Sequence, residues 1–361
     1  MVWILLLPVL PYLIFLIWIF RNLISIKPFS PGHIADIRLS VVIACKNEEK
    51  NLPLLLGDLS LQDYPPELYE VIIVDDSSTD STFEVATVYS KIKGLKVIPN
   101  DGKGKKSAIR TGIEAAANEF IVTTDADCRA GRGWIRTTAV FYSEKKPDMI
   151  IGPVRLISLK GFFSRFQELE FLGLQGITAG TAAAGDPVLC NGANLSFTKQ
   201  AYYKHFENLR DEIASGDDIF FLQSLKKSPN AKIMWLSANE ALITTSPMES
   251  PGSFLCQRAR WISKVRAYKD LTANMLAIST FIIILGMMFP LAAGIFKPSL
   301  LFYYLFLFLI KSVPDLLVLW ETTRRYGKGS LLKWYIPSQV VYPFYMAAAV
   351  VYAVVGKANW K

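Results

Sequence analysis

Two hydrophobic patterns alternate along the chain. Long uncharged runs occupy residues 2–20, 276–296, 300–320 and 335–356, the third of them broken by Lys311 and Asp315. At 1.5 Å of rise per residue, each reaches across a hydrocarbon core about 30 Å thick. The segment between the first two runs, residues 21–275, is polar overall and carries short apolar stretches instead. Residues 39–44 (LSVVIA) form a continuous β-branched run, the mark of a strand buried on both faces. A helix is predicted over 50–61, strands over 71–74 and 95–98, a helix over 107–118 and a strand over 120–124. Ser78 or Asp80 is placed to cap the helix after the second strand. This order predicts a parallel, doubly wound α/β sheet with its site at the C-terminal ends of the strands. Residues 162–176 mix large apolar side chains with Arg165, Glu168 and Glu170, which reads as an amphipathic helix at a membrane interface.

Charge placement orients the chain. Arg21, Lys27 and Arg38 follow the first run, and Lys264, Arg266 and Lys269 precede the second. Arg324, Arg325, Lys328 and Lys333 separate the third and fourth runs, whereas only Lys297 lies between the second and third. The positive-inside rule therefore puts the polar segment in the cytoplasm and both ends of the chain outside. The first run lacks a basic leader and a small-residue cleavage site, so it reads as a retained anchor. The expected division is an N-terminal membrane helix (1–20), a cytoplasmic domain (21–250), a juxtamembrane segment (251–275) and three further membrane helices (276–356). Composition agrees: 52% of residues are hydrophobic and 19% charged, which excludes a disordered chain and argues against one water-soluble globule. The net charge of +8 is accounted for by the membrane flanks, so no nucleic-acid partner is expected. His33 and His205 are the only histidines, too few for a His-ligated zinc site or a triad of motif neighbours. Cys45, Cys128, Cys190 and Cys256 form no C-x-x-C pair and no disulfide framework, as suits a reducing compartment.

The acids carry the candidate chemistry. Asp125 and Asp127 leave the fourth strand one residue apart, so both can converge on one hard cation, Mg²⁺ or Mn²⁺, while Ala126 points away. Asp75 and Asp76 end the second strand, where a carboxylate can accept from a uracil imide or from ribose hydroxyls. Lys105, in a glycine-rich loop, can lie beside them. Ser215-Gly216-Asp217-Asp218 opens an apolar run; its acids either complement a helix N-terminus or, beside a cation, supply a general base. In Gln257-Arg258-Ala259-Arg260-Trp261, Arg260 can meet diphosphate oxygens and Trp261 can pack on a sugar ring; a headgroup-gripping juxtamembrane segment is the other reading. Lys311 and Asp315, four apart on one helix face, are either a functional intramembrane pair or a self-neutralising one.

Together, over about residues 39–270 and the flanking runs, these stretches resemble the processive-type, membrane-integrated family 2 glycosyltransferases. That group includes cellulose, chitin, hyaluronan and poly-N-acetylglucosamine synthases and the related ceramide glucosyltransferases. Asp75 to Asp80 (DDSSTD) is similar to the family's D-D-G-S-T-D, with Ser77 in place of Gly. Residues 105–112 (KKSAIRTG) are similar to K-A-G-A-L-N-x-G, with Arg110 in place of Asn. Asp125-Ala126-Asp127, Gly216-Asp217-Asp218 and Gln257 to Trp261 resemble its metal motif, its T-E-D and its Q-x-x-R-W.

The resemblance implies a GT-A fold and an inverting, metal-dependent transfer from a UDP-sugar. Asp75, Asp76, Lys105, Asp125, Gln257 and Arg260 would hold the donor, and Asp125 with Asp127 the Mg²⁺ or Mn²⁺. Asp218 would be the base. Trp261, Asp217 and the loop Cys190-Asn191-Gly192, with Asn194 beside it, would meet the acceptor. That acceptor would be a growing glycan or, alternatively, a ceramide-like lipid. A non-catalytic nucleotide-sugar-binding membrane subunit is a competing class, and the base beside an intact metal pair argues against it.

Overall fold

The computed structural model describes residues 9–33, 35–89, 91–206, 216–265 and 267–355. Residues 2–8 of the first apolar run, Ser215 and Gly356 lie outside them. The chain divides into an α/β unit, Lys27–Ile157 with Leu189–Ser246, and a helical unit, Met1–Ile26, Ser158–Val188 and Pro247–Lys361. In chain order, α1 (Leu10–Ser25) belongs to the helical unit. The α/β unit then supplies β1 (Leu39–Cys45), α2 (Leu52–Ser60), β2 (Tyr69–Asp75), α3 (Thr82–Thr87), β3 (Leu95–Pro99), α4 (Lys105–Ala115) and β4 (Phe120–Thr123). It continues with β5 (Arg129–Ala130), α5 (Trp134–Lys145), β6 (Met149–Ile151) and β7 (Val154–Leu156). Helix α6 (Phe162–Ala183) falls in the helical unit; β8 (Leu195–Thr198), α7 (Lys199–His205), α8 (Asp217–Leu225), β9 (Ile233–Trp235) and β10 (Ile243–Thr245) return to the α/β unit. The chain ends in the helical unit with α9 (Pro251–Val265), α10 (Leu271–Ala293), α11 (Leu300–Arg325) and α12 (Tyr335–Val355).

The main sheet has seven strands in the order β3-β2-β1-β4-β8-β6-β9. Strands β1 and β2 pair in parallel from Leu39↔Tyr69 to Cys45↔Asp75, and β1 pairs with β4 from Leu39↔Phe120 to Val42↔Thr123. Their side chains are buried almost without interruption, as the continuous apolar runs predict. The sheet is mostly parallel, as the resemblance to GT-A enzymes implies; β8 is the exception and runs antiparallel to both β4 and β6. It follows an excursion of the chain through α6 rather than a crossover helix packed on the sheet, so nothing forces it into the parallel sense. The order reverses across β1 and β4, which opens the crevice where α/β sheets bind ligands. Helix α4 lies against β1 and β2, and a Cβ at Gly112 would come 3.1 Å from Val74 Cγ2, so glycine sets this close approach. Strands β5, β10 and β7 make a second, small sheet.

In the helical unit, Leu271–Ala293, Leu300–Arg325 and Gly329–Val355 are long and apolar enough to cross a membrane. Helix α1, with 16 residues, is shorter, so the described residues carry three of the four expected spans. Residues 162–176 do form a helix, within α6. Consecutive positions Phe166–Leu169 and Thr178–Ala182 are buried, while Phe163, Glu170, Leu174 and Ile177 along one side stay partly exposed. It packs on α1 and α11, where a Cβ at Gly176 would lie 2.8 Å from Val318 Cγ1 and one at Gly180 2.7 Å from the Ile19 carbonyl oxygen. That packing separates Ser158–Val188 from the expected continuous domain 21–250.

Lys311 is 1% exposed and pairs with Asp315. Gln339 Oε1 accepts from Lys311 Nζ at 2.9 Å, Gln339 Nε2 donates to Asp315 at 3.1 Å, and the Tyr12 hydroxyl donates to Asp315. The intrahelical pair is thus closed into a satisfied buried network that joins α1, α11 and α12.

Candidate active site

The acids gather at the C-terminal edge of the sheet in the α/β unit. Asp75 ends β2 with its Oδ2 accepting the Ser78 N–H at 3.1 Å, which folds the following turn back under it. Ser77, where the resembled motif has Gly, adopts φ 56°, the left-handed conformation that glycine takes without strain. Asp76 is 3% exposed. Its Oδ1 accepts from the Gly104 N–H at 2.8 Å and from Asn100 Nδ2 at 2.7 Å, so Asp76 ties the glycine-rich loop to the end of β2. Its Oδ2 faces Lys46 Nζ at 3.6 Å and makes no hydrogen bond.

Gly104 takes φ 85° and starts α4 directly at Lys105, two residues earlier than the sequence pattern predicts. Lys105 reaches Asp125 as an ion pair. Burial by itself would lower the ammonium's pKa, but Asp125, Asp217 and Asp218 together hold it raised. Gly216 (φ 92°) likewise starts α8, so that Asp217 and Asp218 occupy its first turn. Asp218 Oδ2 accepts the Gly192 N–H at 3.0 Å. One pocket is lined by Lys105, Thr123, Gly192, Asp217 and Asp218, with Phe197 and Phe221 among its apolar walls.

Beside Lys105, donor atoms of Asp125, Asp127 and Cys128 lie within 4.8 Å of one another. The two carboxylates lie close together in the turn that follows β4, and Ala126 between them in sequence is buried. Burial first, then Asp125 and Glu48, push Asp127 up to about 6, with Lys105 opposing. Protein crowds this carboxylate although its surface remains open to water, and that access limits the shift. Burial also raises the Cys128 thiol, which stays protonated and donates toward Asp127 at 3.8 Å. Two crowded carboxylates beside a neutral thiol are a donor set for a hard, oxygen-seeking divalent cation.

The loop expected at the acceptor is partly occupied with its own structure. Asn191 Oδ1 accepts the Ala193 N–H at 3.0 Å and caps the short turn Gly192–Asn194. Asn194 is buried: it accepts from Trp134 Nε1 at 3.0 Å and donates to the carbonyls of Pro153 and Ala241 at 2.8 and 2.9 Å. It braces the fold and is sealed from any ligand. Cys190 is half-buried, and none of the four cysteines forms a disulfide.

The stretch Lys46–Glu49 after β1 belongs to none of the motifs above, yet it borders the site. Asn47 (φ 56°) accepts the Thr79 N–H at 2.8 Å, and Glu49 accepts the Ser81 N–H at 3.1 Å, so this loop is laced to the Asp75–Asp80 turn. A polar run with an asparagine directly after a buried strand is the signal that could have found it.

Gln257, Arg260 and Trp261 lie on α9 in the helical unit, each partly exposed. Burial lowers Arg260 below the ordinary arginine value.

Residues 40–233 match the family described as glycosyl transferase family 2, over more than half of the chain. The chain belongs to glycosyl transferase family 2. Poly-beta-1,6-N-acetyl-D-glucosamine synthase of Staphylococcus epidermidis is 25% identical over 236 residues, 62% of this chain and 53% of that protein. Poly(ribitol-phosphate) beta-N-acetylglucosaminyltransferase TarS of Staphylococcus aureus is 30% identical over 131 residues, 36% of this chain and 22% of that one. The chain thus spans at most about half the length of these two relatives. In fold it is similar to a mannosyltransferase of Pyrobaculum calidifontis determined with GDP-Man and Mn²⁺, at a TM-score of 0.59, 16% identity and coverage of 96% of this chain and 95% of that one. The family 2 domain therefore has a GT-A fold with a mostly parallel sheet.

Proposed function

We propose that this family 2 protein transfers a sugar from a UDP-sugar to a membrane-held acceptor with inversion at the anomeric carbon. The observation that carries the reading is the meeting of Asp125, Asp217 and Asp218 around Lys105, with Asp127 beside them. Asp75 and Asp76 would take the uridine, the buried Asp76 Oδ2 being an acceptor that faces Lys46 and makes no hydrogen bond. Asp125 and Asp127 would hold Mg²⁺ or Mn²⁺, which when bound neutralises the diphosphate and favours its departure. Asp218 would take the proton from the acceptor hydroxyl as it attacks opposite the diphosphate. The Gly192 N–H fixes the direction of that carboxylate. Gln257 and Arg260 would meet the diphosphate and Trp261 the acceptor sugar or lipid head. The two bacterial relatives are both named for N-acetylglucosamine, which makes UDP-N-acetylglucosamine the first donor to test.

The three long apolar helices support placement in a membrane, and the flanking charges a cytoplasmic α/β unit. The first apolar run, residues 2–20, would be the fourth span. A glycan product is preferred, since the motif set is that of polysaccharide synthases; a glycosylated lipid is the second reading. Purified protein in detergent, given membranes, radiolabelled UDP-sugars and Mg²⁺ or Mn²⁺, should yield UDP and a labelled product in either the organic or the aqueous phase. Donor binding without turnover under every condition would return the protein to the non-catalytic class.

A further inference from the structure

The motif Gln257 to Trp261 contains two arginines, and the structure treats them oppositely. They sit two positions apart on α9, roughly 200° around the helix. Arg260 is partly exposed, whereas the Arg258 side chain is 4% exposed and faces inward. Arg258 Nε and Nη2 donate to the two oxygens of Glu170 on α6 at 2.9 and 2.5 Å. The Tyr345 hydroxyl of α12 donates to the same carboxylate at 3.0 Å. The third nitrogen, Nη1, donates to Gln257 Oε1. The guanidinium also lies 4.2 Å from the Trp261 ring centroid and 4.5 Å from that of Phe254.

A planar fork held bidentately and flanked by two rings has no freedom to turn. Both Gln257 and Trp261 therefore take their orientation from Arg258. With Oε1 held, the amide NH₂ of Gln257 is the half left to meet a phosphate or sugar oxygen. The ring of Trp261 has one face occupied by the guanidinium, which leaves the other for a ligand.

We infer that Arg258, anchored by Glu170 and Tyr345, is a positioning residue that presets Gln257 and Trp261 for transfer. The inference rests on the proposed contact of those two side chains with substrate. A lysine at 258 keeps the charge but not the fork, so R258K tests orientation apart from electrostatics.

UDP release from the same UDP-sugar panel, with membranes as acceptor, should fall about 10- to 50-fold in kcat for R258K while the donor KM stays within about 3-fold. W261A should lose a comparable factor. Because Arg258 acts through Gln257 and Trp261 together, adding R258K to Q257A/W261A should cost no more than about a further 3-fold. A wild-type kcat in R258K, or a triple variant that loses the full R258K factor beyond Q257A/W261A, would overturn the inference. Should R258K fail to fold, the volume-matched E170M/R258M pair keeps the site apolar and packed. It is expected to keep the wild-type melting midpoint and lose kcat as W261A does; full kcat in that variant would again overturn the inference. Full activity in W261A, with the wild type turning over, would instead remove the underlying reading of the motif and this inference with it.

Discussion

Asp218→Asn separates the proposed chemistry from the architecture around it. Asp218 Oδ2 accepts the Gly192 N–H at 3.0 Å, and an asparagine amide oxygen can accept the same hydrogen. The turn at Gly192–Asn194 keeps its own Asn191 cap at 3.0 Å, so the loop does not depend on the charge. Lys105 keeps Asp125 as its ion-pair partner and Asp217 as a neighbour. The fold and the nucleotide site should therefore survive, and the affinity for UDP should change by less than about 3-fold, under ~0.7 kcal/mol. The amide cannot accept a proton from an attacking hydroxyl. Positioned general bases contribute about 10²- to 10⁴-fold, which is about 3–5 kcal/mol of barrier. Turnover measured as UDP release at saturating donor should fall by that factor, with UDP affinity followed by calorimetry. A D218N protein that keeps more than about a tenth of wild-type kcat would refute the assignment. A large loss of UDP affinity would show that Asp218 serves the donor rather than the acceptor.

D127A should abolish the dependence of UDP binding on Mn²⁺; equal affinities with and without the ion in the wild type would remove the cation site. E70Q should destabilise the α/β unit by about 1–3 kcal/mol at pH 7, since Glu70 accepts from Ser40 Oγ and the Ala117 N–H at 2.6 Å and pairs with Lys96 at 2.7 Å. Burial alone would raise Glu70, but these partners hold it below the usual carboxylate value. Its contribution is therefore complete above the unfolded pKa of about 4.3 and is lost as the pH falls through the lower folded value. Melting curves of E70Q and wild type should converge there, and a constant gap down to strong acid would contradict the linkage. S77G should raise the melting midpoint slightly, because relief of about 1 kcal/mol of left-handed strain exceeds the added freedom of the unfolded chain. A lower midpoint would mean that the Ser77 side chain has a stabilising role of its own.

The parts of this molecule that were legible in the sequence are those whose cause is local. Strands β1 and β2 announce themselves because burial on both faces demands uninterrupted apolar residues, and the place of Asp125 and Asp127 follows from the end of the apolar run of β4. The antiparallel sense of β8 was not legible, since four residues carry no directional information of their own. The burial of the polar residues of α6 was hidden for a related reason. Its Gln167, Glu168 and Gln175 look like a wet face until partners 81, 10 and 151 residues away satisfy them. Arg258 was passed over beside Arg260 because only Glu170, 88 residues earlier, tells one arginine from the other. Asp76 and Asp75 are neighbours in sequence, yet one pins a loop 28 residues away and the other folds its own turn.

These placements give the α/β unit an electrostatic character that bears on the order of events. Asp125, Asp127, Asp217 and Asp218 stand at one strand edge around Lys105, and Asp127 is pushed up by burial first and by the neighbouring Asp125 and Glu48 after it. A nucleotide diphosphate entering that edge alone would meet further repulsion. A divalent cation held by Asp125 and Asp127 reverses the sign of the interaction, so cation and donor should strengthen each other's binding by equal factors. On the proposed reading, the same acids would make the cation-loaded edge selective. An uncharged sugar would gain nothing there, whereas a cation-bearing diphosphate would satisfy the carboxylates and leave Asp218, whose Oδ2 accepts the Gly192 N–H, to take the acceptor's proton. The internal repulsion would then favour an activated donor before an acceptor arrives.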